Sequence, residues 1–251
     1  MNISIASYSF HGLVAEGKMD VFGYLEACRF RYHVLAADIW SGMFPSLDEN
    51  FLKKVKEGLK EREMVLANLC VDGPDIWDND PAVREKHHQD ALAWLKAAEF
   101  LEAKTIRFNS AGQGETFTAE QFDLVVKRFK EYAQFAYEHG FKAGPENHWG
   151  PESVPENMKR LCEAVDHPGF GMLLHFRGND KDALMAPWAM HTHISWDIAE
   201  NHLEESLKML LKEGYKGYYS VEHHSAKDEY YMVSTQLARI RNGVYQLTTA
   251  V

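Results

Sequence analysis

Gly144-Pro145-Glu146-Asn147-His148-Trp149-Gly150 follows directly on Phe141-Lys142-Ala143, a short run that reads as strand. Side chains alternate across a strand, so Glu146 and His148 point to one side of it and Pro145 and Asn147 to the other. A carboxylate and an imidazole on one side of a strand end, with a Gly/Pro-rich loop beyond, is a common way to mount a site on a rigid scaffold. Taken alone, the pair fits equally well a buried Glu held by a neighbouring cation. Similar polar strand ends recur three more times downstream, and the recurrence favours a site.

The strand around Ala143 is the fifth of a regular series. Before it, strands are expected at Asn2–Tyr8, Val34–Trp40, Met64–Val71 and Thr105–Asn109. Helices are expected at Met19–Tyr32, Asp48–Arg62, Pro81–Glu102 and Thr118–Glu138. Phe51, Leu52, Val55 and Leu59 mark the buried stripe of the second helix. Pro81 opens the third, where its missing N–H costs nothing, and Thr118 with Gln121 forms a capping-box pattern on the fourth. The fifth strand runs over Phe141–His148, followed by a helix from about Pro155 to Val165. Strands then fall at Phe170–Phe176, His191–Trp196 and Gly217–His223, with a short helical piece at Lys181–Pro187 and helices at Glu200–Glu213 and Lys227–Gly243. Regular β/α alternation asks for a parallel sheet, and eight units in 251 residues ask for a closed (β/α)8 barrel of the TIM type. An open doubly wound sheet is the alternative, but no GxGxxG follows the first strand, and Gly112-Gln113-Gly114 is too short for a nucleotide signature. Residues 1–251 read as one domain.

Composition narrows the function classes. A hydrophobic share of 45% with 25% charged residues describes a globular protein with a sizeable core. The formal net charge of -10 argues against nucleic acid or an anionic membrane as partner. Cys28, Cys70 and Cys162 have no CxxC spacing, so neither a disulfide framework nor a zinc ribbon is expected. With Asn2-Ile3-Ser4-Ile5 already strand-like and no apolar run of membrane length, the expected location is the cytoplasm.

In a barrel the site lies at the C-terminal strand ends. Late in the chain those ends carry Glu146 and His148, then His175, then His191 and His193, then Glu222, His223 and His224. Two carboxylates and two or more imidazoles converging on one mouth suit a divalent cation. Mixed N and O donors favour Mn²⁺, Fe²⁺, Co²⁺ or Zn²⁺ over Ca²⁺ or Mg²⁺. A single strand-end His is more often a hydrogen-bonded structural residue; four matched ends in succession reverse that.

These residues also carry a resemblance. Glu146-Asn147-His148-Trp149-Gly150 resembles the strand-five segment of the xylose-isomerase-like sugar-phosphate isomerase/epimerase superfamily, and Ser220-Val221-Glu222-His223-His224 resembles its strand-eight segment. His193, in His191-Thr192-His193-Ile194-Ser195-Trp196, stands at the strand-seven position. The resemblance implies a metal held by Glu146, His175, His193 and Glu222, with Mn²⁺ the first expectation and Zn²⁺, Co²⁺ or Fe²⁺ as alternatives. Strand six departs from the family: His175 takes the place of the usual Asp, and Arg177 precedes Gly178-Asn179, so the sphere carries one fewer negative charge.

The implied chemistry is isomerisation or epimerisation of a small carbohydrate through an enediolate, with Glu146 and Glu222 as the acid/base pair. A lyase or dehydratase acting on a keto-sugar or cyclitol uses the same machinery, and a barrel that only binds a ligand is the third expectation. His148 could contact a sugar hydroxyl or hold a metal ligand by hydrogen bond, with equal weight. His191 shares parity with His193 one layer deeper. His224 could reach the mouth, and His11 follows strand one. Arg107 could bind a substrate group or form a structural ion pair. Trp40, Trp77, Trp149 and Trp196 follow strands two, three, five and seven, where flat faces suit a sugar ring; an aromatic cap on the barrel core explains at least half of them. Pairing with a second copy is compatible with a barrel, but no interface is legible.

Overall fold

The computed structural model describes residues 2–110, 112–178 and 180–249. Eight short strands are all parallel: β1 (Ile3–Ala6), β2 (Ala36–Trp40), β3 (Val65–Cys70), β4 (Thr105–Arg107), β5 (Lys142–Gly144), β6 (Met172–His175), β7 (Ala189–Ile194) and β8 (Tyr219–Val221). Their order, β5-β4-β3-β2-β1-β8-β7-β6, is a ring cut between β5 and β6. Two bridges close that seam, Ala143 with Phe170 and Glu146 with Leu173. The N–H of Leu173 donates to the Pro145 carbonyl at 2.8 Å, and that of Ala143 to the Gly169 carbonyl at 2.9 Å. The result is a near-closed (β/α)8 barrel, as the alternation predicts. At the seam the two backbones approach so closely that a β-carbon on Gly144 would overlap the Gly171 carbonyl oxygen.

Among the described residues eight α-helices accompany the strands: α1 (His11–Ala15), α2 (Val21–Glu26), α3 (Glu49–Glu61), α4 (Pro81–Phe100), α5 (Ala119–Glu138), α6 (Pro155–Val165), α7 (Leu203–Lys212) and α8 (Glu229–Thr249). Their starts follow the expected chemistry. Asp80 caps α4 by accepting from the Ala82 N–H at 2.8 Å, with Pro81 at the first position. Thr118 and Gln121 form both bonds of the capping box on α5, at 2.8 and 3.2 Å. The buried faces are the expected stripes: Leu52, Val55 and Leu59 on α3, and Val125, Phe129, Tyr132, Ala133 and Ala136 on α5. Each large apolar side chain so buried contributes about 1.5–3 kcal/mol.

Several elements depart from expectation, among them α1 (His11–Ala15), which the sequence pattern does not predict, and the π turn Ile198–His202 that precedes α7. The Met19–Tyr32 helix is α2 followed by one wide π turn over Ala27–Arg31. The short helical piece expected between β6 and β7 is there, and among the described residues it takes the form of two 3₁₀ turns, Asp180–Leu184 and Ala186–Trp188, rather than an α-helix. The fifth strand stops at Gly144, because Pro145 has no N–H to continue the ladder, and Asn147 and His148 lie in a turn. Among the described residues no helix is long and apolar enough to cross a membrane, and all three cysteines are buried and unpaired.

Candidate metal centre

The C-terminal strand ends bring Glu146, His175, His193 and Glu222 together. Glu146 is held just past β5 by its bridge to Leu173 and by Arg107 at the end of β4, whose Nε lies 3.0 Å from its Oε2. His175 closes β6. The Asn147 amide clamps its backbone, accepting from the His175 N–H at 2.7 Å and donating to its carbonyl at 2.8 Å. Glu222 follows β8, its N–H bonded to the Ile194 carbonyl at 3.0 Å. The Nδ1 of His175 lies 3.3 Å from Glu146 Oε1 and 3.3 Å from Glu222 Oε2. The Nδ1 of His193 lies 3.1 Å from Glu222 Oε1 and 3.4 Å from Glu146 Oε1. All four side chains are buried. His224 adds its Nε2 at 3.0 Å from Glu222 Oε2 from the exposed side.

The donor set fits a cation. Glu146, His175 and His193 each offer one ligand atom within 4.8 Å of the others, and so do His175, Glu222 and His224. More tellingly, the buried Nδ1 of His193 makes no hydrogen bond, although carboxylate oxygens of Glu222 and Glu146 stand 3.1 and 3.4 Å from it. Buried polar atoms are nearly always paired, so an orphan set between two carboxylates calls for a missing partner. His193 is oriented from below. Its Nε2 lies 2.9 Å from Asp38 Oδ2, which also receives His191 Nε2 at 2.8 Å and the Ser220 hydroxyl at 2.8 Å. Asp38 Oδ1 accepts from Asn68 at 2.8 Å. A proton on the Asp38 side of the ring leaves the Nδ1 lone pair aimed between two carboxylates, which is repulsive unless a cation stands there.

The electrostatics follow from the same neighbours. Burial pushes the Asp38 carboxyl up, but His191 and His193 outweigh it and hold it well below the usual carboxylate range. Burial likewise opposes ionisation of Glu146, where Arg107, His175 and His193 prevail, and of Glu222, where His193 and His224 do. Burial disfavours charge on His193, yet Glu222 and Asp38 raise its pKa well above that of a free imidazole; a cation would displace that proton. His148 is pushed down to about 4 by burial and is neutral at physiological pH. The hydrogen bond to Glu222 raises His224.

A family model described as xylose isomerase-like TIM barrel matches residues 30–242. The chain belongs to the xylose-isomerase-like TIM barrels. No curated protein sequence matches it significantly. Among solved structures, this barrel is similar to the 3-keto-D-glucoside 4-epimerase YcjR from E. coli, with 16% identity, 96% of this chain and 99% of the other covered, and a TM-score of 0.75. It is also similar to the probable 3-DHS dehydratase AsbF of Bacillus anthracis, with 15% identity, 96% and 99% coverage and a TM-score of 0.73. A Mycobacterium smegmatis xylose isomerase-like barrel in complex with magnesium matches at 15% identity, 95% and 97% coverage and a TM-score of 0.71. At such identities the likeness establishes the fold.

Within this xylose-isomerase-like barrel the other expected residues divide. His148 lies 3.6 Å from Glu146 through Nδ1 and stacks between Trp149 at 4.4 Å and His175 at 4.8 Å. The side shared with Glu146 thus comes from a turn, not from strand alternation. His175 in turn stacks on His224 at 5.6 Å. Trp149 is 52% exposed over the mouth. Trp40 donates to Asp72 at 2.7 Å and meets Tyr8 edge-on, and His11 stacks on Tyr8 at 4.4 Å. Arg107, only 3% exposed, is committed to Glu146, Asp72, Asn109 and Cys70, so it stands as the structural ion pair behind Glu146 and offers nothing to the open mouth. Trp196 bonds Glu200 and stacks with Arg239, away from the ligands. His191 lies beneath His193, as its parity predicts. Asn179 lies outside the described residues. The sequence reading missed Asp38 and Glu152. A lone acid inside Ala36-Ala37-Asp38-Ile39-Trp40 was the available signal for the first; a carboxylate in mid-strand must find partners. Glu152, in a 3₁₀ turn after Pro151, gave none.

Proposed function

We propose that this chain is a divalent-metal-dependent isomerase or epimerase of a carbohydrate. The observation that carries this reading is the unpartnered Nδ1 of buried His193, aimed between Glu146 and Glu222. The ligand set is Glu146, His175, His193 and Glu222, with Mn²⁺ the first choice for two carboxylates and two imidazoles. Bound there, the cation supplies Lewis acidity that stabilises negative charge developing on an α-hydroxy-carbonyl sugar. Glu146 and Glu222 are both held ionised, so each is able to take a carbon-bound proton, one removing it and the other returning it. Arg107 keeps Glu146 in place. Neutral His148 is available to a sugar hydroxyl, and exposed His224, bonded to Glu222, connects that carboxylate to solvent.

A lyase reading is favoured by one feature. Glu152, buried and pushed up to about 8, retains a proton at neutral pH and would serve as acid for a departing group. One experiment separates the readings. Metal content is measured on protein purified without chelator or nickel, and Mn²⁺-loaded protein is incubated with ketoses and keto-sugars in D₂O under NMR. Deuterium at carbon with the skeleton intact supports the isomerase or epimerase; loss of water or an aglycone supports the lyase. Glu146→Gln and Glu222→Gln are each expected to stay folded and lose turnover by at least about 10³-fold. Full activity in both variants would refute the assignment.

A further inference from the structure

At the same end of the barrel as the metal centre lies a cavity of about 580 Å³, within the roughly 300–1,000 Å³ range of ligand pockets; none of the four candidate ligands lines it. It lies among the segments that follow β3, β4 and β5, and Asp72, Asp75, Trp77, Asn109, Trp149 and Glu152 line it. Asp72 and Asn109 are the residues that hold the Arg107 guanidinium, at 2.6 and 2.8 Å, and Arg107 in turn holds Glu146. The space therefore begins one guanidinium away from a metal-binding carboxylate.

The lining is chemically specific. Glu152 is only 4% exposed; its Oε2 accepts from the Ser110 N–H at 3.2 Å, while its Oε1, though buried, has no hydrogen-bond partner. Burial pushes its carboxyl up to about 8, so at neutral pH it offers a proton to a ligand oxygen. Asp72 and Asp75 supply acceptors for hydroxyls; the charge of Asp72 is balanced by Arg107, and that of Asp75 opposes phosphates and carboxylates. Trp77 and Trp149 add indole surfaces suited to the apolar face of a ring; Arg84 lies over one face of Trp77 at 4.4 Å and His148 stacks on one face of Trp149 at 4.4 Å, so at most one face of each is left to a ligand. Acceptors, one neutral acid and aromatic faces, with no lysine or arginine among the described lining residues, describe a site for an uncharged polyhydroxylated ring.

We propose that this cavity is a second sugar subsite, and that the substrate is accordingly a glycoside whose further ring rests on Trp77 and Trp149 while the ring beside it reacts between Glu146 and Glu222. The inference rests on the proposed function of the metal centre and adds the substrate class. It predicts that one sugar ring alone fills half of the binding site.

The test is isothermal titration calorimetry of Mn²⁺-loaded protein with D-fructose and with the glucosyl-fructoses turanose, maltulose, leucrose and isomaltulose. At least one disaccharide is expected to bind about tenfold tighter than D-fructose, the effect of one good ring-stacking contact. Trp77→Ala is expected to bring that ratio close to unity, and Trp149→Ala, at an exposed position, to reduce it in the same direction. Glu152→Gln keeps an N–H donor and is expected to retain more of the ratio than Glu152→Ala. D-Fructose binding as tightly as every disaccharide, or a ratio unchanged in both tryptophan variants, overturns the second subsite and leaves the metal-centre reading standing. No binding of either sugar class to metal-loaded protein overturns both.

Discussion

Replacing Glu152 by Gln isolates one buried proton. The Glu152 carboxyl has only a backbone N–H and the Ser110 side chain beside it, and burial pushes its pKa from 4.5 up to about 8. In the folded protein it keeps its proton over an interval in which the unfolded chain has already released one. Stability therefore falls as pH rises through that interval: the contribution is complete below pH 4.5 and is lost as pH approaches about 8. Each pH unit within it is worth roughly 1.4 kcal/mol, so the cost between pH 5 and pH 8 is on the order of 4 kcal/mol if the full shift operates. Glutamine fills the same volume, keeps an acceptor for Ser110 and cannot ionise. The difference in stability, Glu152→Gln minus wild type, should rise steadily from pH 5 to pH 8. Urea unfolding of both proteins in EDTA, followed by tryptophan fluorescence at each pH, measures that difference while the ionisations shared by the two proteins cancel. Arg107 and Glu146 are the nearest such groups, and neither is altered. Curves that run parallel, within about 0.3 kcal/mol per pH unit, would show that the carboxyl ionises normally in the fold.

Two further substitutions test the framework of the site. Asp38→Asn removes the charge that orients His191 and His193 without emptying the space, and should weaken Mn²⁺ binding about 10–100-fold with the thermal unfolding of the metal-free protein shifted far less; competition with a chelator reads the affinity, and an unchanged value would mean that Asp38 orients nothing. Gly144→Ala drives a β-carbon into the Gly171 carbonyl at the β5/β6 seam, and should cost about 3 kcal/mol or prevent folding, measured by urea midpoint.

How legible this was in the sequence depended on the range of each interaction. The eight β/α units were readable because each rests on local pattern: a leucine stripe, a proline at the start of α4, a capping box on α5. The four candidate ligands were readable because the barrel topology turns separate strand ends into neighbours, so that a polar residue at each end is informative before any distance is known. Asp38 resisted for the opposite reason. Its partners Asn68, His191, His193 and Ser220 lie 30 to 182 positions away, and nothing in an apolar strand announces them. Arg107 was assigned two roles because sequence cannot tell a guanidinium facing the mouth from one enclosed by Asp72, Asn109, Cys70 and Glu146.

Glu146 and Glu222 at strand ends and Glu152 in the 3₁₀ turn beyond β5 are buried to nearly the same degree, yet they hold different charge. Depth does not distinguish them; company does. Glu146 faces Arg107 and two imidazoles, Glu222 faces His193 and His224, and in both cases the attraction overcomes the cost of burial. Among the described residues Glu152 has no ion pair; Arg107 acts on it too weakly to offset burial, and it keeps its proton. A mouth built in this way presents two ionised carboxylates and one protonated one at the same pH, with a single residue type in both states. The same logic bears on His175. An aspartate there would add a third negative charge beside Glu146 and Glu222, whereas an imidazole leaves two, the number that one divalent cation balances.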